Sequence, residues 1–245
     1  KAVIPVHWGG ASPEMDKIMA ICEAHNLIVI EDACMGIGAS INGKSPGTFG
    51  LVNAYSMHPL KSLNAMGDGG VVATDNDDLA IWMRKYRNHG MVDRNHIEFW
   101  GVNLRMQPIQ CVVLSQGLDR LQSTIEQRNR NAKILDAGLS QINGLTVPKR
   151  LEGYTETFAL YMVLCERRDR LISYLNDNEI EAKIHYPLAL HQQEAAKSAC
   201  KFDPNALPVA TYQADHLITL PVHQFLREDH MNYMVEKIKA FYEHS

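Results

Sequence analysis

The chain opens on an apolar run, Ala2-Val3-Ile4-Pro5-Val6-His7, closed by Trp8-Gly9-Gly10. The run predicts a buried strand, with Pro5 near its end because proline donates no ladder hydrogen bond. Ser12-Pro13 predicts a helix start, Ser12 as N-cap and Pro13 at the first helical position. Met15, Ile18, Ile21 and Cys22 then recur at helical spacing, and Asn26 supplies a stop. Leu27-Ile28-Val29-Ile30 follows as a continuous apolar strand ending at Glu31-Asp32. Strand, helix and strand with short joints predict a βαβ unit, and uniformly apolar strands predict a parallel sheet covered on both faces. A short strand reaching Ser56 comes next, then a turn carrying Lys61, a glycine-rich bend at Gly67, Gly69 and Gly70, and the strand Val71–Thr74. Asp75-Asn76-Asp77 predicts the cap of a helix with Leu79, Ala80, Met83 and Tyr86 on one face, ended by Gly90.

From Pro108 the period is helical again. It predicts one helix over 108–121, with Ile109, Val112, Val113 and Leu118 apolar, and a second over about 123–142, stopped by Gly144. Arg128, Arg130 and Lys133 are expected on the solvated face of the second. The texture then changes to a smaller α+β part: a strand from Thr157 to Cys165, a helix from Arg168 to Asn178 and a short strand from Glu181 to Ile184. A closing helix runs roughly from Arg227 to Tyr242, with Met231, Met234, Val235, Ile238 and Phe241 turned inward. The expected division is a large domain over 1–122 and a small domain over 123–245.

Composition narrows the class. The chain has 245 residues and a formal net charge of −4 with interspersed signs. That is enough for one large domain or two modest ones, and it lacks the clustered basic face that nucleic acid requires. No apolar stretch approaches the ~20 residues of a membrane span, and no secretory leader is visible. The five cysteines, Cys22, Cys34, Cys111, Cys165 and Cys200, form no C-x-x-C pair and are expected as reduced thiols in a cytoplasmic protein. A strand begins almost at Lys1, so the expectation is the later part of a longer protein.

Candidate chemistry centres on Lys61. It lies between two strand-like runs, with a hydroxyl at Ser56 five residues earlier and glycines after it that permit φ > 0 and close backbone approach. Asp32 ends a strand of a parallel sheet, the edge where ligands of open α/β sheets sit, although an aspartate there also suits a cap or a turn.

Ser56-Met57-His58-Pro59-Leu60-Lys61 followed by Gly67-Asp68-Gly69-Gly70 resembles the cofactor-lysine motif of the DegT/DnrJ/EryC1/StrS aminotransferases. Asp32-Ala33-Cys34-Met35-Gly36-Ile37-Gly38-Ala39 is similar to that family's Asp-Ala-Ala-(Gln or His)-x-x-Gly-Ala string, with Met35 at the polar position. Gly43-Lys44 with Gly47-Thr48-Phe49-Gly50, Arg87-Asn88-His89-Gly90, and Gly101-Val102-Asn103-Leu104-Arg105-Met106 match further segments. The resemblance implies a fold-type I transferase like aspartate aminotransferase. The chain would supply the C-terminal part of the mostly parallel-sheet large domain and the small α+β domain. It implies a pyridoxal 5'-phosphate enzyme that moves an amino group from glutamate or glutamine to a keto-sugar, nucleotide- or phosphate-linked. Lys61 would hold the cofactor covalently and carry protons. Asp32 would pair with its ring nitrogen, Ser56 would bind its phosphate, and Met35 would lie near its phenolic oxygen. Asn103 would reach a neighbouring subunit's phosphate, which implies a homodimer with shared active sites.

His185-Tyr186-Pro187 and His191 resemble the family's segment at the active-site mouth and would line the entrance for a sugar. His58 reads as a structural histidine, and the spacing of His185 and His191 fits no recognisable metal site. Arg167, Arg168 and Arg170 are expected solvated rather than clamping a substrate carboxylate. Two other classes stay open. In the family's dehydratase relatives a histidine replaces the lysine, against which Lys61 speaks. A non-catalytic regulatory module of the same fold would fit Met35 and a missing N-terminal segment.

Overall fold

A computed structural model describes residues 1–199 and 203–243 of the chain. Two compact units emerge: residues 1–126 with 151–159, and residues 127–150 with 160–245. The expected change at 122/123 misses the return of residues 151–159 to the first unit. That return is made by a strand pair described below.

In the first unit, strand β1 (Ala2–Val3) leads to helix α1 (Met15–Ala24) and strand β2 (Ile28–Asp32). Helix α1 starts later than expected. Its N-cap is Glu14, with no side-chain cap, because the Ser12 hydroxyl lies 3.0 Å from His7 Nδ1 instead. Asn26 takes the left-handed conformation just beyond the helix end, as a stop residue should. Strands β3 (Ser40–Ile41), β4 (Val52–Ser56) and β5 (Gly70–Ala73) follow. The main sheet has the order β1-β2-β4-β5. β1 and β4 run parallel to β2, whereas β5 pairs antiparallel with β4, opposite Ser56 at Gly70. Register places Asp32 beside Ala54, so β2 and β4 end together at one edge. Met15 and Cys22 of α1 pack on Val29 and Ile41, which is why the helix lies on this face.

Helix α2 (Asp77–Tyr86) is capped by Asn76, whose side chain accepts from Leu79 N at 2.8 Å. Its exit is a Schellman turn: Gly90 N donates to Lys85 O, and His89 (φ 62°) and Gly90 (φ 72°) both take positive φ. The hairpin of β6 (Met91–Asp93) and β7 (His96–Ile97) follows. Trp82 stacks on both Tyr86 and Phe99, at 4.9 and 5.7 Å between centroids.

The two helices expected over 108–142 are one, α3 (Pro108–Leu139). No proline or glycine interrupts the chain at 122–124, and Ser123 donates back to Arg120 O rather than capping a new start. Buried Leu114, Ile125, Ala132, Leu135 and Leu139 mark its inward row. Arg128 falls on that row and is only 7% exposed, its Nε bonded to Gln224 Oε1, so it does not belong to the solvated face with Arg130 and Lys133.

β8 (Leu145–Thr146) opens the second unit's sheet. β9 (Tyr154–Thr155) returns to the first unit and pairs antiparallel with β3. The strand expected from Thr157 begins only at Tyr161, since Phe158 has φ 46° and breaks the extension. β10 (Tyr161–Cys165), α4 (Arg168–Asp177), α5 (Glu194–Ala199), α6 (Pro208–His216), β11 (Leu217–Leu220) and α7 (Glu228–Glu243) complete the second unit. Its sheet is antiparallel, in the order β11-β10-β8. Glu181–Ile184 contributes only a bridge, Lys183 to Thr219. Leu171 and Leu175 of α4 and Met231, Met234, Ile238 and Phe241 of α7 are buried. Among the described residues no helix is long and apolar enough to cross a membrane.

Candidate active site

The edge where β2 and β4 end collects the chemistry. Strand alternation sends Glu31 and Asp32, neighbours in sequence, to opposite sides of the sheet. Asp32 Oδ1 accepts from Cys34 N at 3.1 Å. Its backbone is tied on both sides, N to Pro5 O and O from His7 N, each at 3.0 Å. Cys34 Sγ lies 3.7 Å from Ala54 O. Burial, a hydrogen bond to Asp32 and the charge of Asp32 push the Cys34 thiol up to about 11, against a smaller pull from Lys61.

Lys61 follows β4 in a turn closed by its own N–H to His58 O at 2.9 Å. Burial holds its amine below the ordinary lysine value, while Cys34 and Asp32 act in the opposite sense. Its Nζ makes no hydrogen bond or ion pair among the described residues. Lys44 and Lys85 differ: Lys44 sits 4.1 Å over the Phe49 ring and Lys85 pairs with Glu98. The glycines after Lys61 serve close approach, not positive φ. A Cβ on Gly69 would lie 2.7 Å from Met106 Sδ and one on Gly70 3.0 Å from Tyr55 O, while the residue with φ 52° is Met66. Leu63 and Ala65 of this turn pack with Met57 and Leu114, which anchors it on α3.

Ser56 Oγ, at the end of β4, accepts from His58 N at 3.3 Å and keeps its hydroxyl proton to donate. His58 Nδ1 accepts from Leu60 N, and its Nε2 lies 4.0 Å from Asp68 Oδ1, beyond hydrogen-bond reach, on an exposed ring. Met35 turns its sulfur to Gly9 N at 3.2 Å, and its carbonyl accepts from Thr157 Oγ1 at 2.8 Å. Asn103 accepts from Arg105 Nε at 2.7 Å, and Arg105 also reaches Asn88 Oδ1, so the arginine orders two amides instead of an acid.

The sequence reading missed the residue beside Asp32. Glu31 is 1% exposed and accepts four hydrogen bonds: Gly47 N and His7 Nε2 at Oε2, and Phe49 N and Gly50 N at Oε1, all between 2.6 and 3.0 Å. Burial raises its pKa, but the bonds from His7 and the three amides more than offset this, and the carboxyl lies below its ordinary value. Bonds to a charged group contribute ~1.5–3 kcal/mol each. That is the scale needed against the several kcal/mol, roughly, of burying an ion. The signal was in the sequence as a charge closing an apolar strand.

In the second unit, His185 Nδ1 lies 3.0 Å from Thr219 Oγ1 and its ring meets Tyr186 edge-on. Burial, then Lys183, holds His185 below the ordinary imidazole value. Tyr186 is 55% exposed, and His191 Nε2 lies 3.0 Å from Thr211 Oγ1. Arg167 and Arg168 are not solvated as expected. Arg167 lies 4.8–5.0 Å from the rings of Tyr242 and Phe241, and Arg168 donates to Ala214 O and Asp169. Among the described residues no cluster of three or more His, Cys, Asp or Glu could hold a metal. Cys22, Cys34, Cys111 and Cys165 are unbridged, and Cys200 lies outside the described residues.

The residues of the first unit fit pyridoxal phosphate. Among the described residues Lys61 is an amine drawn from water without a partner, Asp32 is a carboxylate close enough to act on it, Ser56 has a hydroxyl to give, and the buried Ser62 Oγ has no partner. The sequence profile of the DegT/DnrJ/EryC1/StrS aminotransferase family matches residues 1–239. The chain is 37% identical over its whole length to a pleiotropic regulatory protein of Geobacillus stearothermophilus, spanning 66% of that relative. Over 94% of its length it is 35% identical to a UDP-N-acetyl-3-dehydro-alpha-D-glucosamine 3-aminotransferase of Acidithiobacillus ferrooxidans, spanning 61% of it. Among solved structures, a DegT DnrJ EryC1 StrS aminotransferase from Brucella abortus superposes with a TM-score of 0.93 at 32% identity, over 99% of this chain and 64% of that one. The chain thus spans just under two thirds of each of these relatives.

Proposed function

This chain belongs to the DegT/DnrJ/EryC1/StrS aminotransferase family, and on that premise we propose that it forms most of a pyridoxal-phosphate-dependent aminotransferase acting on a keto-sugar. The donor is glutamate or glutamine, and the acceptor is nucleotide- or phosphate-linked. The observation that carries this reading is Lys61: a half-buried, partnerless amine with a lowered pKa, within electrostatic reach of Asp32. The name of the A. ferrooxidans relative supports a nucleotide-sugar acceptor.

Lys61 Nζ would hold the cofactor and, as a free amine, would take the proton from the donor's α-carbon and return one toward product. It does this only as a neutral amine, the form its buried setting favours. Asp32 would keep a proton on the cofactor's ring nitrogen, and Ser56 would donate to its phosphate. When bound, pyridoxal phosphate supplies the sink for electrons left at the α-carbon. Met35 would give the phenolic oxygen no hydrogen bond, since a thioether has no proton to donate. Tyr186, with His185 and His191, supplies polar donors and an aromatic face for the sugar.

Assembly as a homodimer, with Asn103 serving the neighbouring site, is supported by exposed apolar side chains in the same region: Trp100, Leu104, Ile109 and Val112. A cytoplasmic location fits the unbridged cysteines. A second reading, a regulatory module, draws on the name of the G. stearothermophilus relative and on Met35. One experiment separates the two. Pyridoxal phosphate is added, the visible band is recorded, glutamate is titrated in, and a parallel sample is reduced with borohydride for peptide mass analysis. An aminotransferase shows a band bleached by glutamate and a label on Lys61. A label on Lys44 or Lys85 ends the assignment, and a band indifferent to glutamate and glutamine favours the regulatory module.

A further inference from the structure

We propose that His7 and Glu31 are positioning residues that fix the aspartate of the site, Asp32, in the orientation its partner requires; this rests on the function proposed above. Asp32 is gripped through its backbone by Pro5 O and His7 N, and Val6 bridges to it beyond the end of β1. That tail leaves the ladder after Val3 and rejoins β2 only through this isolated bridge, which a side chain can reinforce. The His7 ring does so. It is 0% exposed, with Nε2 on Glu31 Oε2 and Nδ1 against the Ser12 hydroxyl, each at 3.0 Å. A carboxylate only accepts, so His7 Nε2 is the donor. The other contacts of Glu31 are the amides of Gly47, Phe49 and Gly50. One carboxylate therefore ties three segments together, one residue before Asp32 and on the opposite side of the sheet.

Stability alone does not call for this arrangement. Buried ion pairs are often replaceable by apolar side chains without loss, and their best-attested use is to select one geometry. Outer-shell partners that orient a working side chain act in the same way. A positioning role and a packing role predict different things. If the pair acts through Asp32, its loss weakens only ligands that need Asp32. If it merely holds the fold, every ligand suffers alike.

The test compares pyridoxal phosphate with its 1-deaza analogue, whose ring carries a carbon in place of the nitrogen. Dissociation constants are measured by absorbance and fluorescence on the full-length protein, and cofactor-free melting is followed alongside. His7→Leu is expected to weaken pyridoxal phosphate binding about tenfold and the analogue less than about twofold. His7→Gln, which keeps a side-chain N–H for Glu31, should recover most of the loss. Equal weakening of both ligands, or no weakening of either, overturns the proposal. Should His7→Leu fail to fold, Ser12→Ala removes only the contact at Nδ1 and must show the same selectivity at smaller size. A wild-type protein that binds neither ligand sinks the functional reading itself and this inference with it. Wild-type binding with an unselective variant sinks this inference alone.

Discussion

Burial and the charge of Asp32 act on the Lys61 amine in opposite senses, and that fixes the sign of a pH effect. Burial lowers the Lys61 pKa, and the Asp32 charge partly restores it. Removing that charge in Asp32→Asn must lower the Lys61 pKa further, so the neutral amine persists to lower pH. The acid limb of pyridoxal phosphate capture by Lys61, followed by borohydride labelling against pH, should therefore move to lower pH in this variant. A shift to higher pH would show that Asp32 does not act on the amine. Turnover should still fall by about 10²-fold or more, because the ring nitrogen loses its charged partner. Cys34 offers a second check. With its pKa at about 11, chiefly from burial, it is almost wholly protonated at neutral pH, and the thiol form is not the nucleophile. Iodoacetamide at pH 8 should modify the exposed Cys111 well before Cys34, with Cys34 labelling rising about tenfold per pH unit toward 11. Prompt Cys34 labelling at pH 7, read by peptide mass analysis, would contradict its buried setting beside Asp32.

Helix α3 makes the sharpest statement at the scale of elements. A break after Gln122 would make Thr124 a first helical position, where proline is welcome. In a continuous helix proline there removes a hydrogen bond and clashes with the preceding turn, costing about 3 kcal/mol or more. Thr124→Pro should therefore lower the thermal midpoint clearly by circular dichroism, and an unchanged midpoint would restore the two-helix reading. The reason the sequence suggested two helices also explains which elements were legible. Strands β2 and β4, helix α2 with its Asn76 cap, and helix α7 are each specified by local pattern, and each formed as expected. Ser12 looked like a cap by the same local rule, but the buried His7 ring, five residues back, took its hydroxyl. Arg128 looked solvated because its partner Gln224 is 96 residues away. Lys61, Asp32 and Ser56 were picked out by motif spacing; Asp32 and Ser56 end strands β2 and β4, and Lys61 lies in the turn after β4. Glu31 was passed over because its four donors come from residues 7 and 47–50, which no local window joins.

At the scale of the whole molecule, assembly and acceptor both follow from what the surfaces offer. Trp100 is 89% exposed and Ile109 69%, an arrangement costly in water unless a second copy covers it. Sedimentation velocity of the full-length protein should give a dimer, and Trp100→Arg should shift it toward a monomer that turns over poorly. A fully active monomer would remove Asn103 from the neighbour's site. The acceptor is argued from the arginines. A 2-keto acid needs its carboxylate held, most effectively by a guanidinium fork. Among the arginines expected near the start of α4, Arg167 is stacked against Tyr242 and Phe241, and Arg168 is spent on Ala214 O and Asp169. Both guanidinium groups are engaged locally and Arg170 is exposed as expected, whereas Tyr186, 55% exposed, offers an aromatic face that suits a sugar. Enzyme pre-loaded with amino groups, mixed in turn with keto-sugar nucleotides, keto-sugar phosphates, keto-cyclitols and 2-keto acids, should regain its visible band fastest with a phosphate-bearing keto-sugar. Tyr186→Ala should slow that return about tenfold, by loss of ring stacking, while leaving the reaction with glutamate within about twofold. Rapid recovery with several plain 2-keto acids, and none with any sugar, would mean that a carboxylate clamp exists elsewhere and that the acceptor is not a sugar.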